Sequence, residues 1–82
     1  MQTYLEKRQP AHNVARFYRM SVMANLFGEW TLDREWGRIG QGGQVRMDWF
    51  PDESQAVAAL ITLEAAKRLR GYWVEPQQLA ML

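Results

Sequence analysis

The chain has 82 residues, enough for one small domain, and its 48% hydrophobic content indicates a globular fold rather than a disordered one. No cysteine is present, which excludes disulfides and thiolate metal sites, and the single histidine, His12, cannot form a zinc site alone. The formal net charge of +1 gives weak attraction for a polyanion, although seven of the ten Lys and Arg residues precede residue 51.

The N-terminal residues lack the apolar run of a secretory signal. The longest uninterrupted apolar run covers residues 56–61, which is too short to cross a bilayer. We therefore expect a soluble cytoplasmic protein with no membrane contact.

Alternation of side chains predicts four β-strands in the first 50 residues. They cover residues 3–8, 15–24, 30–36 and 45–50. In the second strand, Arg16 and Tyr18 share one face, whereas Phe17 and Arg19 lie on the other. Short turns at residues 25–28 and 40–43 predict an antiparallel meander.

A helix is predicted after the strands. Asp52 is a good N-cap, and Gln55 three residues later matches a capping box. Apolar residues then recur at helical spacing until Gly71, which is a typical residue after a helix C-terminus. The apolar stripe can be buried only against the sheet, which predicts an α+β fold: a twisted antiparallel sheet of about four strands with one α-helix across one face.

We place a single domain at residues 1–74 and a C-terminal tail at residues 75–82. The weak periodicity of the tail fits a frayed end better than a short helix or a strip for a partner.

The most informative motif is Trp36-Gly37-Arg38, which continues through Ile39-Gly40 to Gly43-Gln44. It resembles the signature of the WGR domain, a DNA-sensing part of poly(ADP-ribose) polymerases that also occurs as small free-standing bacterial proteins. The aromatic second strand at residues 16–20 and the basic helix end at residues 67–72 resemble the same family. Together these segments cover most of the chain, and their order makes the resemblance fairly specific.

The resemblance implies an antiparallel sheet with one packed helix, as the residue pattern does independently. It also implies roles for two residues. Trp36 would pack on the sugar beside a DNA break, and Arg38 would contact phosphate or a neighbouring protein.

Each residue of the motif also has a structural interpretation. Alternation places Trp36 on the strand face of Trp30, which favours a core position. Gly37 fits a β-bulge or strand end as well as a close approach by a ligand. Arg38 can bind phosphate with its guanidinium fork or form an ion pair with Glu35 or Asp48. The glycines of residues 40–44 fit a hairpin turn better than a phosphate cradle.

Several arginines on the strands could follow a nucleic-acid backbone, with a mixed soluble surface as the alternative. The candidate DNA-binding residues are Trp36, Gly37, Arg38, Arg16, Arg19, Arg34 and Arg46.

No nucleotide fingerprint, nucleophile motif or metal-ligand cluster is visible, so we expect no enzyme, no cofactor and no metal. The sequence favours a monomeric, non-catalytic module that recognises DNA ends or nicks and assists a repair or ligase protein. The alternative is a protein–protein interaction module without DNA binding.

Overall fold

The computed structural model describes residues 1–73 of the chain. The elements in chain order are β1 (Gln2–Gln9), a 3-10 turn (Pro10–His12), β2 (Val14–Ala24), β3 (Trp30–Arg38), β4 (Gln44–Phe50) and α1 (Glu53–Leu69). The four predicted strands and the helix are confirmed, and no strand extends more than two residues beyond its predicted limits. The tail predicted at residues 75–82 lies outside the described residues.

The strands form one antiparallel sheet in the order β1-β2-β3-β4, which confirms the meander. The turn between β2 and β3 is fixed by the Asn25 side chain, whose Oδ1 accepts hydrogen bonds from the backbone amides of Phe27 and Glu29 at 2.9 and 3.0 Å. Such a bond replaces a backbone partner and explains why asparagine suits this position.

Helix α1 begins at its predicted cap. The amide of Gln55 donates to Oδ1 of Asp52 at 2.9 Å. This hydrogen bond is the main reason that the pKa of the Asp52 carboxyl lies below its usual range. The helix ends where Gly71 takes a φ of 95°, a conformation that glycine adopts without a Cβ clash.

One face of the sheet, which we call the helix face, packs against α1. Leu5, Met20 and Leu32 from the strands and Leu60 from α1 are its fully buried large side chains. Toward one end of this face the core thins, because Trp36 is only half-buried there. We call the opposite surface of the sheet the open face.

The β3–β4 connection brings two backbones unusually close. A Cβ on Gly43 would lie 2.4 Å from the carbonyl oxygen of Trp36, and a Cβ on Gly37 would lie 3.0 Å from Cα of Gly43. The β2–β3 register continues through Gly37 opposite Phe17, so no bulge is present at this position. Gly37 and Gly43 therefore let the turn pack against the end of β3 beside Trp36.

We expect Gly43→Ala to lower the free energy of unfolding by about 1–3 kcal/mol, because the added methyl group overlaps backbone that cannot move away easily. Gly42→Ala is the matched control, since nothing lies within 4 Å of its Cβ position; it should stay within about 0.5 kcal/mol of wild type. Urea unfolding followed by tryptophan fluorescence compares the two. Equal stability of the two variants would contradict the close approach.

Candidate nucleic-acid interface

The strand register gathers the motif residues at one end of the helix face. Arg16 lies opposite Arg38, and Tyr18 lies opposite Trp36, across the β2–β3 pairing. Because opposite residues in an antiparallel pair point to the same side, these four side chains share one surface.

Trp36 is both packed against the core and partly open to solvent. Its ring stacks on Tyr18 with centroids 5.6 Å apart and an interplanar angle of 15°, and it packs against the core cluster. It remains partly exposed, and together with Arg16 and Arg38 it lines a surface cleft. The ring is therefore held in place by the core while part of it faces solvent.

Tyr18 and Tyr72 support a lysine at the end of α1. The two rings meet edge to face at 6.2 Å, and the ammonium of Lys67 lies 4.5 Å from the Tyr18 centroid and 5.8 Å from the Tyr72 centroid. Burial lowers the pKa of Lys67, and the positive charges of Arg70 and Arg34 lower it further. A phosphate placed here would relieve that repulsion.

Arg38 is exposed and does not form either of the ion pairs considered from the sequence. Its guanidinium instead donates to the carbonyl oxygen and Oδ1 of Asn13 at 3.2 and 3.1 Å. Glu35 and Asp48 form ion pairs with other arginines. The alternative prediction, an ion pair of Arg38 with one of these two carboxylates, is therefore wrong. Because Asn13 is uncharged, no residue in the described part of the chain neutralises the positive charge of Arg38.

Arg34 and Arg46 share one carboxylate. Each donates to Asp48, at 2.8 and 3.1 Å respectively, and Arg34 also donates to the hydroxyl of Tyr18 at 3.3 Å. Burial opposes the charge of Arg34, but Tyr18 and Asp48 outweigh it and raise the pKa of Arg34. Both arginines lie on the helix face. Only 13% of the Arg34 side chain is exposed, so Arg34 lies between the buried Tyr18 and the surface carboxylate of Asp48.

Arg19 is not brought together with the other candidate residues. It lies on the open face, where it pairs with Glu35 at 3.2 Å and its guanidinium covers the rings of Tyr4 and Phe17. Its charge and its stacking surface are both used within the fold.

The ten Lys and Arg side chains divide into two groups of five. Those that form ion pairs with carboxylates are Arg8, Arg19, Arg34, Arg46 and Arg68. Those without such a pair among the described residues are Lys7, Arg16, Arg38, Lys67 and Arg70.

All five unpaired cations line two adjoining clefts on one surface. The first cleft is lined by Arg16, Trp36, Gly37, Arg38 and Tyr72. The second is lined by Lys7, Val14, Arg16, Lys67, Arg70 and Tyr72. Arg16 and Tyr72 belong to both, and we call the combined surface the basic cleft. None of the described residues that line it carries a carboxylate, so this part of the surface is positive although the whole chain is nearly neutral.

Five residues of the basic cleft were not among the sequence candidates: Lys7, Val14, Lys67, Arg70 and Tyr72. In the sequence, the cations at the helix end were explained by a favourable interaction with the helix dipole. That explanation gave no indication that they also line a cleft. The topology of the fold could have placed these cations near β1, because a helix that starts beside β4 and crosses the sheet must end over β1. The contact of Thr3 Oγ1 with Glu64 at 3.2 Å, and that of the Lys7 side chain with the Gly71 position, confirm this path.

The family model of the WGR domain matches residues 1–78, so the chain belongs to the WGR domain family. The family comprises non-catalytic domains that bind nucleic acid. No solved structure matches the chain.

One relative is an uncharacterized protein, y4dW, of Sinorhizobium fredii (strain NBRC 101917 / NGR234). It is 45% identical over 73 residues, which are 89% of this chain and 36% of the relative. The chain thus spans about a third of the length of this relative.

The described residues contain no group of three or more His, Asp or Glu side chains placed to hold a metal ion. Within residues 1–73, no helix has both the length and the apolar composition needed to span a bilayer.

The position of Lys67 predicts a measurable titration. Its ammonium should titrate below the ordinary pKa of 10.5. Arg70→Gln should move its pKa upward by removing a positive neighbour, although burial still holds it low. Because the unfolded chain keeps this proton to higher pH, the Lys67-dependent part of the stability should increase as pH rises through the folded-state pKa.

Nuclear magnetic resonance titration of the lysine Cε signal measures this pKa. The chain has two lysines, so a Lys7→Arg background leaves Lys67 as the single signal. A Lys67 pKa at or above 10.5, or one unchanged by Arg70→Gln, would contradict the described environment.

Proposed function

We propose that this domain binds DNA through its backbone, prefers ends or nicks, and does so as an accessory to a repair or ligation enzyme. The observation that carries the proposal is the basic cleft: five cations that have no carboxylate partner among the described residues lie on one surface beside a partly exposed tryptophan. Family membership supports the nucleic-acid part of the proposal, whereas the preference for ends and the enzyme partner go beyond it.

The charge pattern favours phosphate as the ligand. Arg16 and Arg38 offer guanidinium forks that fit phosphate oxygens, and Lys67 with Arg70 adds point charges along the second cleft. Each phosphate that a cation neutralises releases condensed counterions, so binding should weaken as salt increases, with a slope of about 0.9 per contact. Contacts of this kind position a protein on DNA without reading its sequence.

Trp36 supplies the preference for a terminus. Its ring stacks on Tyr18, so it is held rigidly and loses little entropy on binding. A sugar or terminal base pair is accessible to such a ring at an end or nick, whereas an intact duplex keeps its bases stacked on one another. By analogy with aromatic stacking on bases, the contact contributes roughly 1–3 kcal/mol.

Two observations support the accessory role. The family is non-catalytic, so any reaction at the DNA end requires another protein or another domain. The relative from Sinorhizobium fredii is almost three times as long as the matched segment, which leaves room for further domains in proteins of this kind.

Binding to three labelled duplexes of equal length tests the proposal: one blunt, one nicked, and one closed at both ends by hairpins. Fluorescence anisotropy at low and moderate salt should give the tightest binding to the blunt and nicked duplexes. The preference should be roughly 5- to 150-fold, which corresponds to the roughly 1–3 kcal/mol of the Trp36 stacking contact. No binding to any duplex at low salt would refute the DNA proposal and favour the protein-interaction alternative.

Trp36→Leu is the informative variant, because leucine keeps an apolar side chain over Tyr18 but cannot stack on a sugar or base. It should lose the preference for ends while it retains binding to the closed duplex. Trp49→Leu is the control, since Trp49 lies on the open face and is 57% exposed. A folded Trp36→Leu protein that still prefers ends would contradict the stacking role.

A further inference from the structure

The two edges of the sheet are treated differently. The outer edge of β1 is bonded to Trp73: the amide of Glu6 donates to the Trp73 carbonyl at 3.0 Å, and the amide of Trp73 donates back at 2.9 Å. The outer edge of β4 makes no backbone hydrogen bond to any other described residue. An open edge strand presents unpaired donors and acceptors that can pair with another chain.

The open-face side chains of β4 are apolar and exposed. Val45, Met47 and Trp49 alternate along the strand and are 72%, 49% and 57% exposed. Soluble proteins usually protect an edge strand with a charge, a proline or a bulge on the exposed side. In β4 the two charges, Arg46 and Asp48, lie on the helix face, so the open-face row of this edge is entirely apolar.

We propose that β4 pairs antiparallel with β4 of a second copy of this chain, about a two-fold axis at Met47. The occupant of the edge is therefore the protein itself. Symmetry restricts the possible registers, because a two-fold axis normal to the sheet must place one residue of β4 opposite the same residue of the second copy. The axis also keeps the helix faces of the two copies on one side of the joint sheet and their open faces on the other.

Charge selects one register among those near the middle of the strand. An axis at Arg46 would oppose two arginines, and an axis at Asp48 would oppose two aspartates; like charges directly opposite each other destabilise a strand pair. An axis at Met47 instead places Arg46 opposite Asp48 of the second copy, and does so twice. Axes nearer the strand ends pair fewer residues.

The same register suits the open face. It places Val45 opposite Trp49 of the second copy, which is a favourable pair of a β-branched and an aromatic side chain. Met47 packs against its own copy at the axis. The three exposed apolar side chains of each chain thus gain cross-strand neighbours.

The resulting dimer has one continuous eight-stranded sheet, with both α1 helices on the same side. It replaces the monomer expected from the sequence. A strand pair buries less than the roughly 1,600 Å² of a standard interface, so the dimer should be weak and reversible. If the proposed DNA function holds, the two basic clefts face the same side of the sheet, and one dimer can hold two DNA segments.

The absence of cysteine allows a direct test. Met47→Cys places a thiol beside its copy at the axis, where the Cα separation of an opposed pair suits a disulfide. The full chain should be oxidised mildly at about 0.1 mM, because an interface below standard size is weak and forms only at high concentration. A dimer band should then appear on a non-reducing gel. The chain of 9.6 kDa would double in mass.

Val45→Cys is the matched control. It lies on the same strand and face and is more exposed, but two copies of it would be about 13 Å apart along the strands. It should not cross-link with itself, whereas a mixture of Val45→Cys and Trp49→Cys proteins should. Cross-linking of Val45→Cys with itself as fast as Met47→Cys would overturn the proposal, as would no cross-linking by Met47→Cys. Neither outcome depends on DNA.

Charge reversal gives a second test. Arg46→Glu and Asp48→Lys each oppose like charges in a homodimer, so each variant alone should remain monomeric in sedimentation velocity. An equimolar mixture restores opposite charges at both sites and should dimerise. Thermal unfolding of the Asp48→Lys protein checks that it folds without the Arg34 partner, and the cysteine test stands if it does not.

Discussion

The interface depends on Tyr18, which lies where the core meets the basic cleft. The residue is only 3% exposed, yet its ring stacks on Trp36, meets Tyr72 edge to face and lies under the ammonium of Lys67. Its hydroxyl accepts a hydrogen bond from Arg34. One buried side chain thus orients the aromatic and cationic groups around it. Rigid placement of this kind lowers the entropy lost on binding and gives a small domain a preorganised surface.

The distribution of charge has more functional meaning than its total. A net charge of +1 is weak support for a polyanion partner. Within residues 1–73, carboxylates lie beside arginines elsewhere in the fold, whereas none pairs with the five cations of the basic cleft. The local field is therefore positive on one side of a nearly neutral molecule. The open face differs, because its two arginines, Arg8 and Arg19, are paired with glutamates and its exposed side chains on β4 are apolar.

Local patterns were sufficient to predict the fold. Strand alternation, the Asp52 cap and Gly71 each act within a few residues, and the structure confirms all three. The site was harder to predict, because its members come from β1, β2, β3 and the end of α1. From the sequence, both Arg34 and Arg38 were candidate DNA contacts. In the structure, Arg34 donates to Tyr18 and Asp48, whereas Arg38 donates to Asn13. Which cation has a carboxylate partner is decided by register between distant strands, which no local pattern contains.

The central claim is that the unpaired cations of the helix face, and not the paired ones of the open face, contact DNA phosphates. Arg16 and Arg19 provide the comparison, because they are three residues apart on β2 but point to opposite sides of the sheet. The salt dependence of binding to a blunt duplex should be measured for Arg16→Gln and Arg19→Gln. The account predicts weaker binding and a slope reduced by about 0.9 for Arg16→Gln, with the Arg19→Gln slope equal to that of the wild type. A reduced slope for Arg19→Gln together with an unchanged slope for Arg16→Gln would contradict it.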